Sequence, residues 1–293
     1  MDEDPADVLS VVLAGGGCKT FWGMGVLRGL EQLGMLPPIA NWAGASAGAA
    51  MCLVSTSQRV DACYEHFLAI TTENERNFYP RELLRGRAPF PHDVLIRKIL
   101  RFIMADGGFG QIRRGPPVHI LMSYLGPGRP TWRTVLPAVA HFERRCRQGW
   151  VHGSSTPPPG VHARVVRSVD AMDPDQLLDW VRMSSCVPPV TPVLRRGGRR
   201  YFDGALVDNV PVRALPEAAR KGRVLAMLSS PYQVARRWLE LPEGGRILYL
   251  APTIELPVHP WDYTSPEAIR ETYELGQRDA RALQRRVGEF FGV

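Results

Sequence analysis

The chain has 293 residues, 45% hydrophobic and 22% charged, which is ample for a buried core and ordinary for a soluble globular protein. No apolar run reaches the roughly 20 residues that span a bilayer, and the acidic start MDEDPADVLS lacks the basic and apolar stretches of a secretory leader, so a cytoplasmic protein without a transmembrane helix is expected. The net charge of +7 is almost all arginine, since only Lys19, Lys98 and Lys221 are lysine; without a long basic block it reads as dispersed surface charge, with attraction to an anionic partner as the alternative.

In chain order, VLSVVLA (8–14) is a short β-branched run and reads as a buried strand. AGGGCKT follows as a loop, and residues 21–34 carry apolar side chains at helical spacing up to Gly34. IANWAGA (39–45) reads as a second strand, and SAGAAMCLVSTS after it as a helix of small residues. This alternation implies a parallel sheet covered by helices. Residues 59–72 read as a further helix, and 93–108 as another, with Asp93 as its N-cap and Gly107 as its end. Arg97, Lys98 and Arg101 share one narrow wedge of that helix. It is open between a core helix with a solvated wedge, a lid, and a helix lying in a membrane interface through residues such as Leu95. Trp22, Trp132 and Trp150 are further candidates for lipid contact or for core.

PVHILMSYL (117–125) reads as a strand, and 162–170 as an edge strand. DPDQLLDWVRMSS (173–185) reads as a helix with an acidic cap, and RRYFDGALVDNVPV (199–212) as strand, turn and extended piece. GRVLAMLSS and GRILYLAP (222–230, 245–252) are buried-strand patterns, and 265–286 is a helix begun by Ser265 and Pro266. One domain over 1–293 is expected, with its core at about 8–285 and a helical insertion or cap at about 73–115. The five cysteines lack paired metal-ligand spacing, and Cys52 and Cys63 read as small core residues.

Ser46 stands in Gly44-Ala45-Ser46-Ala47-Gly48, between a strand and a helix. That is the setting of a nucleophile elbow, whose turn leaves no room for side chains two positions either side. The loop Gly15-Gly16-Gly17 has the same strand-to-helix position, and its amides suit an oxyanion hole. It fits neither GxGxxG nor GxxxxGK[ST], so a phosphate-binding loop is the weaker reading. The hydroxyl needs a base. His259 would complete the order Ser, Asp, His of the α/β-hydrolases, although Ser46 comes early for that fold. Asp203, after a strand and before Gly204, is the other candidate, and a plain Asp-Gly turn is its bland reading.

The set AGGGCK, GASAG, MSSCVPPVTPV and YFDGALVDNVPV, in this order, resembles the patatin-like phospholipases, with a glycine loop, a GxSxG elbow, a proline-containing block and a DG[GA] motif. The C-terminal DYTSPEAIRETYELGQRDA resembles the helix that closes such domains. The resemblance implies a three-layer αβα fold, lysophospholipase-like, with a mostly parallel central sheet. It implies metal-free hydrolysis of lipid acyl esters without a cofactor. Ser46 would be the nucleophile and Asp203 its base in a dyad, with Gly15, Gly16, Gly17 and the Cys18 amide holding the oxyanion. Ala14, Lys19 and Thr20 depart from the family pattern; Lys19 would still bring positive charge to the oxyanion loop or a lipid phosphate, and Asn209 would brace the Asp203 loop. Phospholipid is then the expected partner, with peripheral membrane contact and no nucleic acid. The alternatives are an α/β-hydrolase esterase using His259, and a weakly active lipid-binding signalling module.

Overall fold

The computed structural model describes residues 8–126, 151–152, 160–235 and 237–292, with isolated positions at 137, 140 and 144. Trp132 and Trp150 lie outside the described residues. The centre is a mixed, mostly parallel sheet. β1 (Leu9–Leu13), β2 (Ile39–Ala45), β3 (Val118–Leu125), β7 (Arg223–Met227) and β9 (Arg246–Leu250) form its parallel part, in the order β3-β2-β1-β7-β9. β4 (Val161–Arg167), β6 (Arg199–Phe202), β5 (Leu194–Arg196) and β8 (Leu239–Glu240) pair antiparallel at the margins.

Period-two alternation sends the side chains of β1 to two cores. Leu9, Val11 and Leu13 join the larger cluster, under α1 (Thr20–Gln32), α2 (Ala47–Thr56), α3 (Val60–Thr72), α5 (His92–Met104), α7 (Pro174–Ser184) and α9 (Pro266–Phe291). Val12 and Ala14 join the other, with Val210, Val212, Leu215 and Ala219, the last on the short α8 (Glu217–Arg220). Helices thus flank the sheet, as the sequence implies. α4 (Pro80–Leu84) and α6 (Gly108–Arg114) complete the described helices.

The helix expected over 93–108 is instead two. α5 ends at Met104, Asp106 and Gly107 both take positive φ, and Gly107 opens α6 rather than closing α5. Asp93 lies inside α5, where its carboxylate pairs with Arg97 at 3.0 Å and with Arg182 of α7 at 2.9 Å. Trp22 is fully buried and donates its indole N–H to Asp279 at 2.7 Å. It is a core residue, and so is Leu95 at 6% exposure, so neither offers a face to lipid.

One detail of the sheet positions the site. Ala45 of β2 pairs with Leu121 of β3, and Phe202 of β6 pairs with Ser123. The same two β3 residues pair with Val165 and Ala163 of β4. A strand has only two edges, so β4 takes one, and β2 and β6 share the other end to end. They run in opposite directions and point at each other. The residues that follow them, Ser46 and Asp203, come together opposite Met122.

Candidate active site

Ser46 is the N-cap of α2 with φ 55° and ψ −132°. That backbone costs an L-residue on the order of 1–3 kcal/mol and persists only where its surroundings enforce it. Two glycines allow the turn. A Cβ at Gly44 would lie 2.6 Å from the Ala49 nitrogen, and one at Gly48 2.2 Å from the Leu13 carbonyl oxygen. The Ser46 amide donates to Ser184 Oγ at 2.8 Å, and that hydroxyl donates to the Leu121 carbonyl at 2.6 Å. Ser184 thereby ties α7, β3 and the turn together.

Asp203 is 5% exposed. Its amide donates to the Cys186 carbonyl at 2.8 Å, and its own carbonyl accepts from Ser123 Oγ at 2.9 Å. Its carboxylate accepts from the Ala205 amide at 2.8 Å, and the Ser46 side chain lies near enough to favour its charged form. Burial raises the carboxyl to about 6, against the opposing pull of the Ser46 side chain and the Ala205 amide. The pair is therefore a hydroxyl beside a carboxylate of raised basicity, in a site that gives up little of it to water.

In the glycine loop the four amides divide. The Gly15 amide donates to the Asn209 carbonyl at 3.1 Å, and the Cys18 amide to the Pro260 carbonyl at 3.0 Å. Both are committed to these carbonyls. Gly16 and Gly17 have no such partner among the described residues, and Gly17 has φ 55° with the Pro260 carbonyl where a Cβ would sit. Asn209 braces the glycine loop itself rather than the Asp203 loop, since its Nδ2 donates to the Gly15 carbonyl at 3.3 Å. Ser229 Oγ, at the end of β7, donates to the same carbonyl. Lys19 pairs with Glu255 at 3.2 Å. His259 is exposed, its Nδ1 accepts from the Trp261 amide at 3.4 Å, and no hydrogen bond joins it to Ser46.

Sequence reasoning passed over Ser123, Ser184 and Ser229, which have the composition of ordinary strand and helix ends. Ser229 carried one usable signal, its place just beyond the carboxyl end of a parallel strand, where open α/β sheets gather their sites.

Beside Ser46 opens an apolar pocket of about 60 Å³. Its walls include Phe21, Phe67, Ile96, Ile99 and Val181, with Trp261 and Tyr263. It has room for about two waters and is lined to receive hydrocarbon. His259 is not part of its lining.

The family model described as patatin-like phospholipase matches residues 11–216, well over half of the chain. Among solved structures, the chain is similar to VipD from Legionella pneumophila, with TM-score 0.43 and 12% identity over 96% of this chain and 67% of that one. It is similar to human GIVD cytosolic phospholipase A2, with TM-score 0.49 and 11% identity over 100% of this chain and 64% of that one. The chain thus spans about two thirds of the length of each. No curated protein matches it. By the family match the chain belongs to the patatin-like phospholipase family.

Proposed function

We propose that this patatin-like chain is a lipid acyl hydrolase working through a Ser46–Asp203 dyad. The observation that carries the reading is the meeting of Ser46 with the buried Asp203 carboxylate, at the facing ends of β2 and β6, beside an apolar pocket that Ser46 lines. Asp203 takes the hydroxyl proton as Ser46 Oγ attacks the ester carbonyl. Negative charge passes to the carbonyl oxygen, where the uncommitted Gly16 and Gly17 amides stabilise it. Collapse breaks the ester C–O bond, and Asp203 returns the proton to the leaving alcohol. Water then gives its proton to Asp203 and attacks the acyl-serine, which releases the carboxylic acid and restores the hydroxyl. The first carbons of the acyl chain enter the pocket between α2, α5 and α7. Phe21, Phe67 and Ile99 exclude water from it, which strengthens each electrostatic contact at the reacting carbon.

The test is ester turnover in EDTA, on a short-chain chromogenic ester and on phosphatidylcholine micelles. Ser46→Ala and Asp203→Asn are expected to lose about 10³-fold or more in kcat, while His259→Ala stays within roughly twofold of wild type. Activity retained in Ser46→Ala would reduce the GASAG turn to a structural role. Loss in His259→Ala, with Asp203→Asn active, would replace the dyad by a triad.

A further inference from the structure

Between α3 and α6 the chain exposes apolar side chains that folding ordinarily buries. Leu84 is 90% exposed and Leu83 57%, both on α4, while Phe78 before them and Val94 on α5 are half-exposed. Clustered exposed apolar residues mark an interaction surface. Basic residues interleave them. Glu82 is taken by Arg85 and Arg87, and Asp93 by Arg97 and Arg182. Arg76, Arg81, Lys98 and Arg101 are exposed and have no carboxylate partner among the described residues. Exposed leucines in one segment with unneutralised cations match a surface that is apolar beneath and anionic on top, which is the layering of an acidic lipid interface.

The segment is also fastened to the pocket. Asn77 Nδ2 donates to Asp262 at 3.1 Å and Asn77 Oδ1 accepts from the Tyr263 amide at 2.9 Å. His92 Nε2 meets the Trp261 carbonyl at 3.0 Å. Trp261 and Tyr263 line the Ser46 pocket, as do Ile96, Ile99 and Leu100 of α5.

We propose that residues 76–101 cap the Ser46 pocket and dock it on an anionic phospholipid interface. Leu83 and Leu84 enter the apolar layer, and Arg76, Arg81, Lys98 and Arg101 meet lipid phosphates. The use of this surface rests on the acyl-hydrolase reading, but its test does not.

Binding is read on the full chain carrying Ser46→Ala, which is spared hydrolysis of the lipid. The probe is sedimentation with vesicles of phosphatidylcholine alone or mixed with phosphatidylglycerol. Stronger binding to the mixed vesicles is expected, weakening as salt rises. Adding Leu83→Asp and Leu84→Asp should weaken it roughly tenfold or more. Adding Arg76→Glu and Arg81→Glu should erase most of the preference for anionic vesicles, roughly fivefold or more for each charge. Both leucines are solvent-exposed, so the variant keeps the wild-type unfolding temperature. With Ser46 restored, turnover of the soluble ester is unchanged while turnover of vesicle lipid falls. Absence of vesicle binding overturns the proposal, as does binding indifferent to the leucine pair. Leucine-dependent self-association without vesicles also overturns it and assigns the patch to a protein partner. If no ester is turned over but vesicle binding keeps its dependence on the leucines, the docking surface stands and the hydrolase reading falls.

Discussion

An aspartate in water, with a pKa near 3.9, is a weak base for an alcohol. At position 203 burial lifts the carboxyl to about 6, so the anion gains affinity for a proton while remaining the dominant form at neutral pH. Turnover of a soluble ester is therefore expected to fall about tenfold per pH unit below about 6 and to level off above it. An inflection near 4 in kcat/KM would show that Asp203 is not the base. The same shift bears on stability with a defined sign. The folded-state value lies above the unfolded one, so the fold favours the protonated carboxyl. That contribution is complete below about 4 and is lost as pH rises through about 6, amounting to about 3 kcal/mol. Asp203→Asn, which carries no charge at either pH, is expected to melt above wild type at about pH 8 and level with it near pH 4. Thermal unfolding at the two pH values checks this; an equal offset at both would remove the linkage.

Among the elements, those that are apolar over most of their length were plain in the sequence. β1, β2, β7 and β9 fall within their expected limits or match them, because the stretches buried on both faces admit almost no polar residue. Asp173 also caps α7 as expected, accepting from the Gln176 amide. The break after Met104 was not legible, since Asp106 in the left-handed region is enforced by neighbours: its carboxylate pairs with Arg59 at 2.9 Å. The face that α5 buries was equally hidden, because its apolar residues extend around most of the helix. Leu95→Asp would place a carboxylate in the core and is expected to cost several kcal/mol of stability, read as a lower unfolding temperature before any change in lipid binding. At α7 the working contact is a hydroxyl. Ser184→Ala leaves the Ser46 amide without its acceptor, at about 1–3 kcal/mol. Soluble-ester kcat should drop roughly tenfold with KM nearly constant; an unaltered kcat would make Ser184 a packing residue only.

At the scale of the whole molecule the order of motifs conveyed the α/β class, but the meeting of Ser46 with Asp203 depends on pairings absent from local pattern. β2 and β6 lie about 155 residues apart and share one edge of β3. Nothing periodic encodes that both end opposite Met122. The closing of the chain is likewise non-local. The family match stops at residue 216, yet β7, β9 and α9 follow it, and β7 lies between β1 and β9. α9 packs so closely on α1 that a Cβ at Gly25 would lie 2.0 Å from the Tyr273 carbonyl oxygen, and one at Gly276 2.1 Å from that of Trp22. Trp22 also donates to Asp279 of α9. Ile269, Tyr273, Val287, Phe290 and Phe291 are buried along this helix. At about 2 kcal/mol for each such side chain, α9 contributes on the order of 10 kcal/mol, comparable to the entire stability of an ordinary domain. A chain ending at Thr264 is therefore expected to lack a cooperative unfolding transition and to lose turnover, although Ser46, Asp203 and the glycine loop are all present in it. Circular dichroism through a thermal ramp decides the point: a sharp transition near that of the full chain would make α9 an appendage, and the matched segment would then hold its site without it.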